Sequence, residues 1–191
     1  IDKNGILALQ NTIADILTPY CEPHCLLEQC LTWSLAHDHI MNVTAVELVL
    51  SFNSLLQQIV MDVIEYNMEH LELPMAGDHL LSFVSNRMIE AIIWGFGGSL
   101  VGADRIEFCE IIRATASFSL PSDGIPLLDH YVSIADGQWY LWSDCVPHVE
   151  IDPKSVLDTS VVIPTVDTLR NQHLMRAFLN TRKPVILCGP P

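Results

Sequence analysis

The strongest chemical signal in the chain lies at its far end, where the short apolar run Val185-Ile186-Leu187-Cys188 meets Gly189-Pro190-Pro191. A buried strand that feeds a glycine loop and then a helix can cradle phosphate oxygens. Backbone N–H groups and the helix N-terminus all point at the anion. The complete motif, G-x-x-x-x-G-K-[ST], also supplies a lysine and a Mg²⁺-binding hydroxyl. Neither is present after Gly189, so composition alone leaves an ordinary buried strand ending in a turn as the alternative.

Other clusters have the right residue types but less suitable spacing. Cys21, His24, Cys25 and Cys30 are all of zinc-ligand type. A tetrahedral site usually draws ligand pairs from two separate turns, and no second knuckle follows, so buried thiols at a helix start are the competing reading. His37-Asp38-His39 resembles a catalytic triplet, yet on a helix positions i and i+2 point apart, which makes these surface or interface residues. Asp62, Glu65 and Glu69 recur at helical spacing and read as a solvated acidic face rather than an acid/base pair. Gly95, Gly97 and Gly98 mimic a phosphate loop, but no apolar strand precedes them, and a helix end with a turn accounts for them.

These residues need elements to position them, and the apolar periodicity supplies mostly helices. Gly5 to Leu17 predicts a first helix with Ile6, Leu9, Ile13, Ile16 and Leu17 on one side, broken by Pro19 and Pro23. Leu26 to Ile40 predicts a second, with Leu27, Leu31 and Leu35 on one face. Thr44-Ala-Val-Glu47 is a capping box opening a helix to about Glu69, striped by Val46, Val49, Leu56, Ile59, Val60 and Val63. A fourth helix over Asp78 to Phe96 turns Leu81, Val84, Met88, Ala91 and Ile92 inward. Asp104 can cap a fifth through Ala116, carrying Ile106, Ile111 and Ile112.

Beyond Leu120 the pattern changes. Tyr131 to Ile134, Asp136-Gly137 and Trp139 to Trp142 predict a β-hairpin. Its rings either clamp the hairpin onto its domain or line a ligand surface. Val146 to Val156 reads as a linker. A last helix follows, capped by Thr165 or Asp167 and repeating Leu169, Leu174 and Phe178 until Pro184.

Composition bounds the function. Half of the residues are hydrophobic and 17% are charged, which excludes a disordered chain and is rich in apolar surface for one soluble domain. A net charge of −14 argues against nucleic acid and against an anionic membrane surface as partners. No apolar run approaches the ~18–20 residues of a membrane span. Six cysteines without a secretory signal read as reduced thiols.

The wording of the chain adds a resemblance. Val162-Ile-Pro-Thr-Val-Asp-Thr-Leu-Arg170 and Lys183-Pro-Val-Ile-Leu-Cys-Gly-Pro-Pro191 closely resemble the entry into the third AAA+ module of dynein heavy chains. The Cys-Gly-Pro-Pro ending is more similar to cytoplasmic than to axonemal members. His39-Ile-Met-Asn-Val-Thr, Glu65-Tyr-Asn, Ile92-Ile-Trp-Gly-Phe-Gly-Gly and the Gly137-x-Trp-x-x-Trp hairpin resemble the helical subdomain that closes the second module. Arg87 lies one residue out of register with a basic position of that family, and no sensor role is carried onto it.

The resemblance implies a mainly α chain. Residues 1–118 would be a helical bundle like an AAA+ lid, and 119–159 a β-hairpin and linker. Residues 160–191 would be the beginning of the next α/β P-loop core. It implies ATP or ADP with Mg²⁺ bound by the parent protein, with Val162, Ile163, Pro164 and Thr165 beside the adenine and Gly189, Pro190 and Pro191 opening the phosphate loop. It implies neighbouring AAA+ modules, microtubules and dynein accessory chains as partners, and a cytoplasmic, cytoskeleton-associated location. The piece itself, lacking the lysine and downstream acids, is expected to catalyse nothing. The rivals are a stand-alone acidic helical interaction domain and a small zinc protein built on Cys21, His24, Cys25 and Cys30.

Overall fold

The computed structural model describes residues 3–22, 24–116, 120–122, 124–148 and 163–186. Those residues form six helices and one antiparallel two-stranded hairpin, so the mainly helical expectation holds. In chain order the helices are α1 (Lys3–Leu17), α2 (Leu26–Leu35), α3 (Ala45–Glu69), α4 (Gly77–Gly97), α5 (Gly102–Thr115) and α6 (Val166–Asn180). The hairpin, β1 (His130–Val132) with β2 (Trp139–Leu141), lies between α5 and α6.

The helix α3 begins where local chemistry says it should. Thr44 Oγ1 accepts from the Glu47 N–H at 3.3 Å, and Glu47 Oε2 accepts from the Thr44 N–H at 2.8 Å. Two of the orphan donors of a helix start are thereby satisfied. The Thr44 N–H, together with the Thr44 hydroxyl donating to the same Oε2 at 2.9 Å, holds the Glu47 carboxyl below its ordinary value. The buried stripe of α3 is rotated from the expected one, however. Leu48, Phe52, Leu55, Ile59 and Val63 face inward, while Val46 is 67% exposed and Val49 is also turned out. By length and composition α3 could cross a membrane. Its buried face instead carries Gln58 and Asn67 among the apolar residues and packs on α4.

The helix α4 is the centre of the bundle. Phe83, Val84, Met88, Ile89, Ile92, Ile93 and Phe96 are all 0–1% exposed, which covers every side of a helix. It is buried on nearly every side because α1, α2, α3, α5 and β1 each pack against it. Of the residues expected inward, Val84, Met88, Ala91 and Ile92 are buried, but Leu81 is half exposed. Gly95 and Gly97 are packing glycines at the end of this helix. A Cβ on Gly95 would lie 2.7 Å from Phe52 Cα, and one on Gly97 would lie 2.7 Å from the Phe108 ring. This is the helix terminus expected from the sequence, and α3 and α5 approach closely there.

Four other elements differ from the sequence reading. The helix α2 stops at Leu35 rather than Ile40, and its buried face is Leu26, Cys30 and Ser34. Asp104 sits in the first turn of α5 rather than at its cap, and Phe108, Cys109 and Ile112 are buried instead of Ile106. The hairpin is shorter than expected, pairing Tyr131 with Tyr140. Of the strand expected over Val185 to Cys188, Leu187 and Cys188 lie outside the described residues, while Val185 and Ile186 have no regular structure. A central strand needs ladder partners, and no described residue pairs with them.

The hairpin is clamped to α4. Gly137 adopts φ 71°, and a Cβ there would meet the Phe83 backbone N at 2.6 Å. Asn86 Nδ2 donates to the Gly137 carbonyl at 2.8 Å, and His79 Nε2 lies 2.9 Å from the Ile134 carbonyl. Trp142 follows β2 and is buried at 7% exposure, as expected for rings that hold the hairpin down.

Candidate functional site

The residues of zinc-ligand type, Cys21, His24, Cys25 and Cys30, do not converge on one centre. Among the described residues no three His, Cys, Asp or Glu side chains are grouped to hold a metal ion. Cys21 is exposed, whereas Cys30 is fully buried, and burial, with the nearby Cys25, pushes its thiol up to about 12. A protonated thiol in the core is a small apolar group, not a ligand.

His37 and His39 also have structural roles. His37 stacks on Trp33, ring centroids 3.6 Å apart, and its Nδ1 donates to the Trp33 carbonyl at 2.8 Å. His39 Nε2 donates to the Ser34 carbonyl at 2.9 Å, and its Nδ1 accepts from Ser99 Oγ at 2.8 Å. The two imidazoles thus cap the last carbonyls of α2. Backbone bonds from Ile40 N to Ser99 O and from Val101 N to Asp38 O fix this segment beside the end of α4.

The nucleotide-contact residues expected at 162–165 are only partly described. Val162, Gly189, Pro190 and Pro191 lie outside the described residues. Ile163 is 45% exposed, Pro164 is half-buried, and Thr165 is the N-cap of α6. Thr165 Oγ1 accepts from the Thr168 N–H at 3.2 Å, which settles the cap in favour of Thr165 over Asp167.

What the fold does assemble is a buried polar joint between α6 and the bundle. Arg87, on α4, has a side chain only 5% exposed. Its Nη1 donates to Glu90 Oε2 at 2.6 Å, and its Nη2 donates to Asp62 Oδ2 on α3 at 3.2 Å. Arg87 Nη1 also lies 2.9 Å from His173 Nε2 on α6, and that nitrogen is 3.2 Å from Glu90 Oε1. Gln58 Nε2 donates to Asp62 Oδ1 at 2.6 Å, and Asn180 Nδ2 donates to Gln58 Oε1 at 3.1 Å. The chain Asn180–Gln58–Asp62–Arg87–His173 therefore leaves α6 and returns to it. Farther along, Arg170 reaches Asp129 at 3.2 Å and the Leu128 carbonyl, with its guanidinium 5.5 Å from the Trp94 ring centroid. Arg176 pairs with Glu65 at 3.7 Å.

The electrostatics follow from burial and pairing. Burial alone would raise the Glu90 carboxyl, but the charge of Arg87 and the contact with His173 overcome it and hold it at about 2. Burial likewise opposes the Arg87 charge, and the carboxylates of Glu90 and Asp62 outweigh it, so Arg87 stays charged. A carboxylate depressed below its ordinary 4.5 stabilises the fold above that pH and loses the contribution as pH falls toward 2. The midpoint of denaturant unfolding is accordingly expected to drop between pH 5 and pH 2.5. In Glu90→Gln that portion of the drop is expected to be missing; an unchanged profile in the variant would assign it to other groups.

Sequence reading left this joint unseen, placing Asp62 on a solvated face. One signal pointed to it. Arg87 and Glu90 sit at i and i+3, and the residues that surround Glu90, namely Met88, Ile89, Ala91, Ile92 and Ile93, are all apolar. Charges inside such a helix must pair or face a cavity.

Comparison with known proteins gives the family. Residues 17–144, which hold α2 to α5 and the hairpin, match the family model described as "Dynein heavy chain AAA lid domain". The chain is 39% identical over 185 residues to "Dynein heavy chain, cytoplasmic" of Dictyostelium discoideum. To the proteins of the same name it is 35% identical in Neurospora crassa and 30% identical in Drosophila melanogaster. Each match covers 97% of this chain but about 4% of the relative's length. A bundle centred on one all-round buried helix, closed by a clamped hairpin and matched over most of its length, belongs to the dynein heavy chain AAA lid domain family.

Proposed function

We propose that this chain is a joint in the motor ring of a cytoplasmic dynein heavy chain, connecting the end of its second AAA+ module to the start of its third. Residues 1–118 act as the lid, 119–159 hand over, and 160–191 begin the next core. The observation that carries this reading is the polar joint. It ties α6, which lies beyond the matched residues 17–144, to the lid helices α3 and α4. Nucleotide-driven movement of one module would then reach its neighbour as a rigid-body shift.

The outer face of α3 supports contacts with other modules. Val46, Leu50, Met61 and Met68, 42–67% exposed, follow one another along the helix at intervals compatible with one apolar seam. The parent would bind ATP or ADP with Mg²⁺, with residues 162–165 beside the adenine and Gly189, Pro190 and Pro191 opening the phosphate loop. It would work in the cytoplasm on microtubules with its accessory chains. Residues 1–191 alone supply no phosphate-loop lysine and are expected to turn over no ATP.

Two measurements on different preparations test this. Photo-cross-linking of the complete protein with an azido-adenine nucleotide and Mg²⁺ is expected to label the peptide containing Ile163 to Thr165. Label confined to other modules would remove those residues from the site. Peptide mass spectrometry across and beyond Pro191 is expected to find Gly-Lys-Ser/Thr. A native stop after Pro191 would favour the rival reading, an acidic helical interaction domain whose α3 seam receives a partner helix.

A further inference from the structure

The hairpin leaves one edge of its sheet open. The Ser133 N–H donates to the Gln138 carbonyl at 2.9 Å, which makes these two a hydrogen-bonded pair. Bonded and non-bonded pairs alternate along an antiparallel ladder. Tyr131 and Tyr140 are therefore the next bonded pair, while Val132–Trp139 and His130–Leu141 are non-bonded pairs of the ladder. The backbone groups of Trp139 and Leu141 thus point away from β1. Leu141 caps the turn Trp142–Cys145, which takes its carbonyl. The Trp139 N–H, the Trp139 carbonyl and the Leu141 N–H have no backbone partner among the described residues.

A groove of about 450 Å³ adjoins this edge, lined on one side by β2 and on another by Leu120, Pro121 and Ser122. Every residue of β2 lines it, but of β1 only His130 does, which places it on the β2 side. With a strand rise of about 3.3 Å, a strand spacing of about 4.8 Å and a sheet thickness of about 10 Å, such a volume holds about three extended residues.

Charge selects the occupant. Asp144 is exposed and lines the groove, whereas no Lys or Arg does. The whole chain carries −14, so its field attracts a cationic segment. The rings of Trp139 and Tyr140, also in the lining, offer π faces that suit an ammonium or a guanidinium.

We propose that the open edge of β2 receives an extended, basic segment of a partner protein as a third strand. Its main chain pairs with Trp139 and Leu141, and one of its Lys or Arg side chains meets Asp144. The backbone bonds supply affinity, and the carboxylate supplies the preference for a cation. An edge of three residues suits a reversible contact and resists indiscriminate pairing. The inference rests on the hairpin alone, independent of the motor reading.

The probe is the peptide acetyl-Val-Lys-Val-Lys-Val-amide, added to the complete protein at about 1 mM, where even weak binding registers. Hydrogen exchange of fragments spanning Gln138 to Cys145 is expected to slow about threefold or more, with fragments of α2 unchanged as the reference. The same peptide N-methylated at every amide keeps its charge but cannot pair, and is expected to protect nothing. Leu141→Pro removes an outward N–H without touching the β1–β2 ladder, and Leu141 already has φ −79°, which suits proline. Its affinity for a fluorescein-labelled probe is expected to fall about fivefold, the worth of one hydrogen bond. Asp144→Asn is expected to weaken binding about threefold, as for an exposed ion pair. Unchanged exchange at Gln138 to Cys145 overturns the proposal, and so does equal protection by the N-methylated peptide, which would mean contact through charge alone. Should Leu141→Pro fail to fold, the two peptides on the unmodified protein still decide. No nucleotide takes part, so failure here leaves the ATP-site reading standing.

Discussion

Replacing Arg87 with methionine is expected to cost about 3–5 kcal/mol of folding stability, the range for breaking a buried ion pair by removing one partner. Methionine fills much of the volume but leaves Glu90, 3% exposed, without the guanidinium that balanced its charge. Asp62 also loses Arg87, though Gln58 still donates to it. Denaturant unfolding monitored by circular dichroism checks the size. The double variant Arg87→Met with Glu90→Met is expected to recover most of the loss, because two apolar side chains leave little charge to desolvate. Without recovery, the damage would come from packing rather than from a stranded carboxylate.

The second large effect is expected at Gly95. Valine there is predicted to destabilise the bundle by about 3 kcal/mol, the upper part of the usual range for overpacking. Its Cβ would lie 2.7 Å from Phe52 Cα and 3.0 Å from Phe52 N, and backbone atoms cannot rotate aside. The helices α3 and α4 must separate, loosening Phe52 and Phe96, whose rings sit 5.1 Å apart. Gly102, at the start of α5, is the control. A Cβ there meets nothing within 4 Å, so Gly102→Ala is expected to be neutral or stabilising by up to about 1 kcal/mol. Equal losses at both positions would show that glycine is needed for backbone reasons rather than for space.

Much of the helical framework was legible because its causes are local. The capping box at Thr44 and Glu47 set the start of α3, and apolar periodicity placed α4 and four of its inward residues, Val84, Met88, Ala91 and Ile92, though not its central position. The rotated stripe of α3 has a different origin. Val46 and Val49 are as apolar as Leu48 and Phe52, and only the position of α4 decides which pair is covered. The end of α2 depends on Ser99, sixty residues from His39, whose hydroxyl holds the imidazole against the Ser34 carbonyl. The polar joint was the least legible part, because Gln58, Arg87 and Asn180 meet only after α6 has folded back across α3. Of the expected nucleotide contacts, Thr165 was readable as a cap from its own sequence, since that role needs only Thr168.

The contrast between α4 and α6 has a mechanical meaning. The helix α4 is enclosed mostly by apolar side chains, so sliding it along its axis would expose many of them at once. The helix α6 buries only Ala177 and is otherwise held by Leu174, Phe178 and oriented polar contacts. Under load, hydrophobic enclosure yields gradually, while short-range hydrogen bonds lose their strength within a fraction of an ångström. Because the bonds from His173 to Asn180 close on themselves through α3 and α4, tension on α6 is shared among them. A pull on this chain would therefore part at the α6 seam in one abrupt step, with the bundle around α4 left whole.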